Sequence, residues 1–221
     1  MKYGKAALTG AIVFTWLMVF ASCAAYSAGR GPLGGWLRLG ASAGFVLTGF
    51  AAGGLNSRYG RAILIGLFFG WWGDFFLTRS GSAWFMTGLV AFLIGHVAYS
   101  CAFVFRRSRP RWAVAAFTAI VVAGIFVASW LWPHLPAGLH APAVVYGLAI
   151  SVMVALAVGT VPLPGGWLIA IGALIFLVSD VGVAYVFFIQ SNRAVQIGSM
   201  LLYYLGQTML AASIALVRRN E

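Results

Sequence analysis

The chain contains few charged residues and almost no acidic ones. Charged residues make up only 8% of the 221 positions, and Asp and Glu together occur three times. A soluble globular domain usually carries about 25% charged residues. The hydrophobic share of 62% is also far above what a soluble domain needs. This composition excludes a soluble protein and predicts a polytopic membrane protein.

Cysteine and histidine are equally scarce. The two cysteines, Cys23 and Cys101, lie in apolar runs, which is typical of small core residues rather than of a disulfide or a metal pair. A catalytic zinc site needs about three converging ligands, yet His134 and His140 lie together in a predicted loop. The sequence also lacks a phosphate-binding P-loop. We therefore expect no metal site.

Basic residues give the chain its net charge of +11, from 14 Lys and Arg against three acidic residues. Nearly all of them fall in short loops between apolar runs. Loop charges of this kind set the orientation of a membrane protein and attract anionic headgroups. Nucleic-acid binding is therefore not expected, and the bilayer is the expected partner of these residues.

Eight apolar runs are long enough to cross a bilayer, which takes about 20 helical residues. They predict an all-α bundle of eight transmembrane helices in a single domain over residues 1–221. The start of the chain resembles a signal peptide, but the apolar pattern continues, which favours an uncleaved first helix. The predicted spans are residues 6–28, 37–55, 60–78, 83–105, 112–132, 141–160, 165–189 and 195–217.

The distribution of basic residues predicts both termini in the cytoplasm of a bacterial-type inner (plasma) membrane. An even number of spans agrees with this orientation. The cytoplasmic set is Lys2, Lys5, Arg58, Arg61, Arg106, Arg107, Arg109, Arg111, Arg218 and Arg219, and the opposite set is Arg30, Arg38, Arg79 and Arg193.

Two carboxyl groups, Asp74 and Asp180, interrupt apolar runs, and the third acidic residue is Glu221 at the end of the chain. A charged side chain at the centre of a membrane helix costs about 2.5–3.5 kcal/mol on insertion scales. The two residues lie at nearly the same depth in the third and seventh spans, which would run in the same direction. Either could be a protonated structural residue, but matched depth favours one shared site.

Other polar side chains lie in the same apolar runs. His96 and Tyr99 are three residues apart and share a face of the fourth helix. Gln207 can share a face with Tyr203 or Tyr204 on the eighth helix, and Ser179 precedes Asp180. Packing alone would also explain the histidine and the tyrosines.

Five short motifs follow one another along the chain. They are Gly73-Asp74, Gly88…Phe92…Gly95-His96-x-x-Tyr99, Tyr146…Met153, Gly172-Ala173-x-x-Phe176-x-x-Ser179-Asp180 and Tyr203-Tyr204-x-x-Gln207. Together they resemble the YhhN family, which includes the animal transmembrane lysoplasmalogenases. The resemblance runs from about residue 60 to the end of the chain. Members usually carry Lys-Pro near the start of the second helix, where this chain has Arg38 without a proline.

The resemblance implies hydrolysis of the vinyl ether bond of a lysophospholipid substrate, lysoplasmalogen, without a metal or an organic cofactor. Protonation of the alkene carbon limits such a hydrolysis, so one buried carboxyl would act as the acid and an ionised one would stabilise the cation and activate water. The residues expected to take part in catalysis are Asp74, Asp180, His96 and Tyr99. Those expected to bind substrate are Arg79, Arg193, Tyr203, Tyr204, Gln207 and Ser179.

Two other classes of function remain open at the level of sequence. A proton-coupled transporter of a small or lipid-like solute would also place acids and a histidine at membrane depth. Such a protein is expected to have broken helices, and helices three, four and seven contain no proline. A lipid-binding or assembly protein gives no reason for two costly carboxyl groups. The sequence carries no signal of oligomeric state.

Overall fold

The computed structural model describes residues 2–218, with side chains described from residue 5 to residue 217. This part of the chain contains eight α-helices and no strand, which confirms the predicted all-α class. Three short 3-10 turns follow α2 and α5. The helices are α1 (Lys2–Ser27), α2 (Gly31–Ala51), α3 (Arg58–Leu77), α4 (Ser82–Phe105), α5 (Pro110–Leu131), α6 (His140–Val158), α7 (Gly166–Phe188) and α8 (Arg193–Arg218).

Seven of the helices in the described residues are long and apolar enough to cross a membrane. The protein is therefore a multi-pass membrane protein. The remaining helix, α2, is 21 residues long, but several glycines and Arg38 lower its hydropathy. The orientation was predicted from basic residues, and of these Arg219 and the side chains of Lys2 and Arg218 lie outside the described part of the chain. Glu221 also lies outside it.

Helix α2 differs most from its predicted span. It begins at Gly31, six residues before the predicted start, because Pro32 suits the first turn of a helix. It ends at Ala51, and Gly53 then adopts a left-handed conformation with φ of 87° before the next turn. Arg38, expected near the outer surface, therefore lies inside the helix.

The bundle is built from four pairs of sequential helices that pack side by side, namely α1–α2, α3–α4, α5–α6 and α7–α8. Helix α8 also contacts α1, α2 and α3. Phe85 at the start of α4 packs on Phe187 and Phe188 at the end of α7, with ring centroids 5.0 and 5.6 Å apart. Because α4 starts where α3 ends, the C-terminal ends of α3 and α7 lie on the same side of the bundle.

Glycines on α3 bring neighbouring helices close together. A Cβ atom at Gly66 would overlap the ring of Tyr99, and one at Gly70 would lie 2.7 Å from Nε2 of Gln207. These two glycines therefore leave the space in which α4 and α8 place their polar side chains. The glycine face of this helix is therefore an interior face.

Helix α5 is the least packed element. None of its residues is buried, and it contacts α6 along the bundle and α7 only weakly. The cysteines are both unpaired: Cys23 is half-buried, but Cys101 is exposed on the outside of α4, so the expectation that it is a core residue was wrong.

Candidate active site

A large cavity of about 1250 Å³ lies between α5 and the rest of the bundle. Its volume exceeds the roughly 300–1000 Å³ of common ligand pockets. Both Asp74 and Asp180 line it, as do Arg38, Tyr146 and Tyr203. Most of the remaining wall is apolar and comes from α5, α6 and α7. The cavity therefore has the character of a site for a lipid chain with a few polar groups.

The first polar cluster is centred on Asp74, whose side chain is completely buried. Arg38 donates to Oδ1 of this carboxyl group from Nη2 at 2.5 Å and from Nε at 3.2 Å. Ser42 donates to Oδ2 at 2.6 Å, and the Tyr204 hydroxyl lies 2.8 Å from the Ser42 oxygen. Asp74 thus accepts three hydrogen bonds, two of them from a paired cation.

Ser42 occupies the centre of Gly40-Ala41-Ser42-Ala43-Gly44, which matches the Gly-x-Ser-x-Gly pattern of serine hydrolases. That pattern works where the serine sits on a sharp turn between a strand and a helix. Here the segment lies inside α2, and the hydroxyl is bonded to Asp74. Ser42 is therefore a partner of the carboxylate and not an exposed nucleophile.

The second polar cluster joins Asp180, Tyr146 and His96. The Tyr146 hydroxyl donates to Oδ2 of Asp180 at 2.6 Å and lies 2.9 Å from Nε2 of His96. The same histidine nitrogen is 3.6 Å from the carboxyl oxygen. Asp180 keeps 18% of its side chain exposed, so it can reach a molecule in the cavity. His96 does not line the cavity and lies behind Tyr146.

The hydrogen bonds assign the tautomer of His96. Because Tyr146 gives its only proton to Asp180, its oxygen is left to accept from an Nε2–H of the histidine. Nδ1 is buried and has no partner among the described residues. A proton on Nδ1 would be a buried donor without an acceptor, which is costly. The hydrogen bonds therefore place a proton on Nε2.

A third polar group consists of Tyr99, Gln207 and Tyr203. Tyr99 donates to Oε1 of Gln207 at 2.6 Å, and the amide of Gln207 donates to the Tyr203 hydroxyl at 3.3 Å. Tyr203 donates in turn to the carbonyl oxygen of Gly70 at 3.4 Å, and its ring centroid is 5.4 Å from that of Phe176.

Gly70 and Phe176 each precede an acidic residue by four positions, which is about one helical turn of 5.4 Å. Tyr203 contacts both of them. Since α3 and α7 end on the same side of the bundle, Asp74 and Asp180 both lie about one turn beyond Tyr203. The matched depth of the two carboxyl groups in a membrane stays a prediction.

The remaining predicted site residues, as far as the structure describes them, make no hydrogen bond to the two carboxyl groups. Arg79 lines the cavity beyond the end of α3, with Cζ 4.8 Å from the Phe75 ring centroid. Ser179 uses its hydroxyl to hold α8, donating to the carbonyl oxygen of Ser199 at 2.9 Å. Arg193 is exposed, donates to the Ser27 carbonyl oxygen at 3.2 Å and does not line the cavity.

Sequence reasoning did not assign three residues that contact the carboxyl groups, namely Arg38, Ser42 and Tyr146. An arginine eight residues from an apolar helix end is a signal for an intramembrane ion pair when acids occur elsewhere. Tyr146 was part of a family motif but carried no pattern that pointed to Asp180. Among the described residues, no three His, Cys or acidic side chains lie close enough to hold a metal ion.

Comparison with known proteins gives one family and two curated relatives. The family model described as "YhhN family" matches residues 37–214. Proteins named "Lysoplasmalogenase" from Mycobacterium bovis and Mycobacterium tuberculosis are each 34% identical over 145 residues. The aligned part covers 63% of this chain and 55%, or about half, of each relative. No solved structure matches the chain.

Proposed function

Because the chain belongs to the YhhN family, we propose that it is an intramembrane hydrolase that cleaves the vinyl ether bond of lysoplasmalogens. The products are a fatty aldehyde and glycerophosphocholine or glycerophosphoethanolamine. One observation carries the proposal: two carboxyl groups in different environments, one ion-paired and one partly exposed, line the same largely apolar cavity.

The proposed reaction begins with proton transfer from the Asp180 carboxyl group to the alkene carbon that is one bond from the ether-bearing carbon. The alkene electron pair forms the new C–H bond, and an oxocarbenium ion remains. Water attacks this ion, and the newly formed Asp180 carboxylate takes the proton that the water loses. The resulting hemiacetal then expels the glycerol oxygen, which takes up the hemiacetal proton, and the aldehyde is released.

Asp180 suits the role of proton donor because it is exposed to the cavity and hydrogen-bonded by Tyr146. The Tyr146 hydroxyl fixes one carboxyl oxygen, which leaves the other oxygen to carry and deliver the proton. His96 acts through Tyr146, since it lies behind the tyrosine and fixes its hydroxyl. His96 is therefore a positioning residue.

Asp74 is proposed as the ionised member of the pair. Its negative charge is held in place by Arg38 and Ser42, and the carboxylate has no exposed surface. Asp74 holds the guanidinium of Arg38 in position. The Arg38 side chain keeps 24% of its surface exposed and lines the cavity. Tyr99 acts at greater distance, through Gln207 and Tyr203, and Tyr204 supports Ser42.

We extend the proposal to the topology. All eight helices cross a bacterial-type plasma membrane as one domain, with both termini cytoplasmic. Helix α2 can cross because Asp74 neutralises its only charged residue, Arg38, and because its 21 residues span about 30 Å. The C-terminal ends of α3 and α7 then face outward, and the substrate enters from the outer leaflet. Helices α3, α4 and α7 are continuous, unlike the broken helices of many transporters.

The test is aldehyde release by the purified protein in nanodiscs that contain a panel of lysolipids. We expect aldehyde from 1-alkenyl lysophospholipids and none from their 1-acyl or 1-alkyl counterparts. Asp180→Asn should abolish release because the amide cannot deliver a proton, and Asp74→Asn should reduce it strongly because Arg38 loses its partner. Arg30→Gln, a change in an exposed arginine outside the cavity, is the control and should keep activity. Full activity in Asp180→Asn would rule out the proposed acid.

A further inference from the structure

Arg38 is a cation in the wall of the cavity, with 24% of its side chain exposed. Nε and Nη2 of its guanidinium both donate to one oxygen of Asp74. Nη1 makes no hydrogen bond to any described residue, and it is not among the buried atoms without a partner, so it keeps exposed surface. The guanidinium is thus held firmly on one edge and is free on another.

We propose that Arg38 binds the phosphate of a single-chain phospholipid and that Asp74 is the residue that positions it. The inference rests on the proposed function and names the part of the cavity that holds the headgroup. A guanidinium offers donors in a rigid plane that matches phosphate oxygens. Because Asp74 occupies one edge of this plane, the free edge points in a single direction and can meet a phosphodiester oxygen.

The charges in this part of the cavity agree with an anionic ligand. Among the described residues, Arg38 and Arg79 are the two arginines that line it, and Asp74 is paired with one of them. With one carboxyl group beside two guanidinium groups, the anionic phosphodiester of a lipid is favoured here, because an unbalanced charge in an apolar surrounding is costly.

The other outer arginines do not offer this geometry. Arg193 donates to the Ser27 carbonyl oxygen and lies outside the cavity wall. Arg79 lies over the rings of Phe75 and Trp84 at 4.8 and 5.0 Å, where the cavity meets the end of α3. Arg79 therefore supplies charge near the opening, and Arg38 supplies the fixed donor. Arg193, which was expected to bind substrate, is therefore not part of the proposed phosphate site.

The placement also suits the reaction. Arg38 and Asp180 line the same cavity, and in a lysoplasmalogen only the glycerol backbone separates the phosphate from the vinyl ether. A phosphate on Arg38 leaves the alkenyl chain to lie along the apolar wall formed by α5, α6 and α7. The headgroup beyond the phosphate then lies toward the outer surface.

The first experiment uses the unaltered protein and needs no catalysis. Phenylglyoxal modifies accessible guanidinium groups, and mass spectrometry reports the extent at Arg38 with and without a ligand. We expect lysophosphatidylcholine, which has no vinyl ether, to protect Arg38, and monoacylglycerol of the same chain length to protect it much less. Equal protection by both lipids, or by neither, would overturn the proposal. Full protection by inorganic phosphate or glycerophosphocholine alone would identify a site for a free anion and would overturn the lipid form.

The second experiment measures the binding of the same two lipids to variants in nanodiscs. Arg38→Gln leaves Asp74 without its partner and can destabilise the fold, so the neutral pair Arg38→Gln/Asp74→Asn is examined beside it. We expect the preference for lysophosphatidylcholine over monoacylglycerol to fall at least tenfold in the neutral pair. Arg30→Gln should keep the preference. An unchanged preference in the folded neutral pair would refute the role of Arg38, whether or not the protein hydrolyses vinyl ethers.

Discussion

Replacing Tyr146 by phenylalanine removes a single hydroxyl group from the cavity and tests how Asp180 is held. That hydroxyl makes two hydrogen bonds, one of 2.6 Å to Asp180 and one of 2.9 Å to His96. A hydrogen bond to a charged group contributes about 1.5–3 kcal/mol. If the bond is formed fully in the transition state, its loss lowers kcat/KM roughly 10- to 100-fold.

The assay is aldehyde release from a lysoplasmalogen in nanodiscs, followed through the initial rate at several substrate concentrations. Tyr185→Phe is the matched control, because it also removes one tyrosine hydroxyl. Tyr185 lies in α7, donates to Gln190 and does not line the cavity. We expect the loss in Tyr146→Phe to appear mainly in kcat, since the hydroxyl orients the proton donor and does not contact the headgroup. The control should retain the rate of the unaltered protein.

A double-mutant cycle with His96 separates positioning from independent action. If His96 acts only through the Tyr146 hydroxyl, His96→Phe should cost no more than Tyr146→Phe, and the double variant should match Tyr146→Phe alone. If the two losses multiply instead, His96 contributes by another route, and the reasoning that places it behind the tyrosine is refuted. Thermal unfolding of each variant shows whether a loss of rate reflects a loss of folded protein.

Two further outcomes follow from the clusters. Asp74→Asn leaves Arg38 without its partner and should cost about 3 kcal/mol of stability, and Arg38→Gln/Asp74→Asn should recover part of this loss. Thermal unfolding in detergent measures both variants. An unchanged Tm in Asp74→Asn would contradict the ion pair. Aldehyde release should persist in excess chelator, because the described residues form no cluster of three metal ligands; loss of activity that zinc restores would show that a metal site had been missed.

The class of the protein and most of its helices could be predicted from the sequence, because apolar length and loop charge report directly on membrane helices. The ends of α3 to α8 lie within two residues of the predicted spans. The resemblance to the YhhN family was also confirmed. Helix α1 begins four residues before its predicted span. Helix α2 differs most, because glycines and Arg38 gave its first turns the composition of a surface loop.

The contacts of the site could not be predicted in the same way. Arg38 and Asp74 are 36 positions apart, and Tyr146 and Asp180 are 34 apart. A helical pattern shows which residues share a face, but it does not show which face of another helix lies opposite. A site that contains both acids could be predicted because Asp74 and Asp180 occupy similar positions in their predicted spans. The pairing of Arg38 with Asp74 and of Tyr146 with Asp180 could be found only from the coordinates. The roles given to these residues stay predictions.

Helix α5 forms one wall of the cavity without burying a single residue. In a membrane, the outer side of α5 therefore contacts acyl chains rather than protein. The position of α5 then depends on its packing against α6 and on the lateral pressure of the surrounding lipid. The volume available to a substrate chain is then set by the bilayer as well as by the protein. We expect membrane thickness and fluidity to act on such a cavity much as a core substitution acts on a soluble enzyme, without any change in the chain.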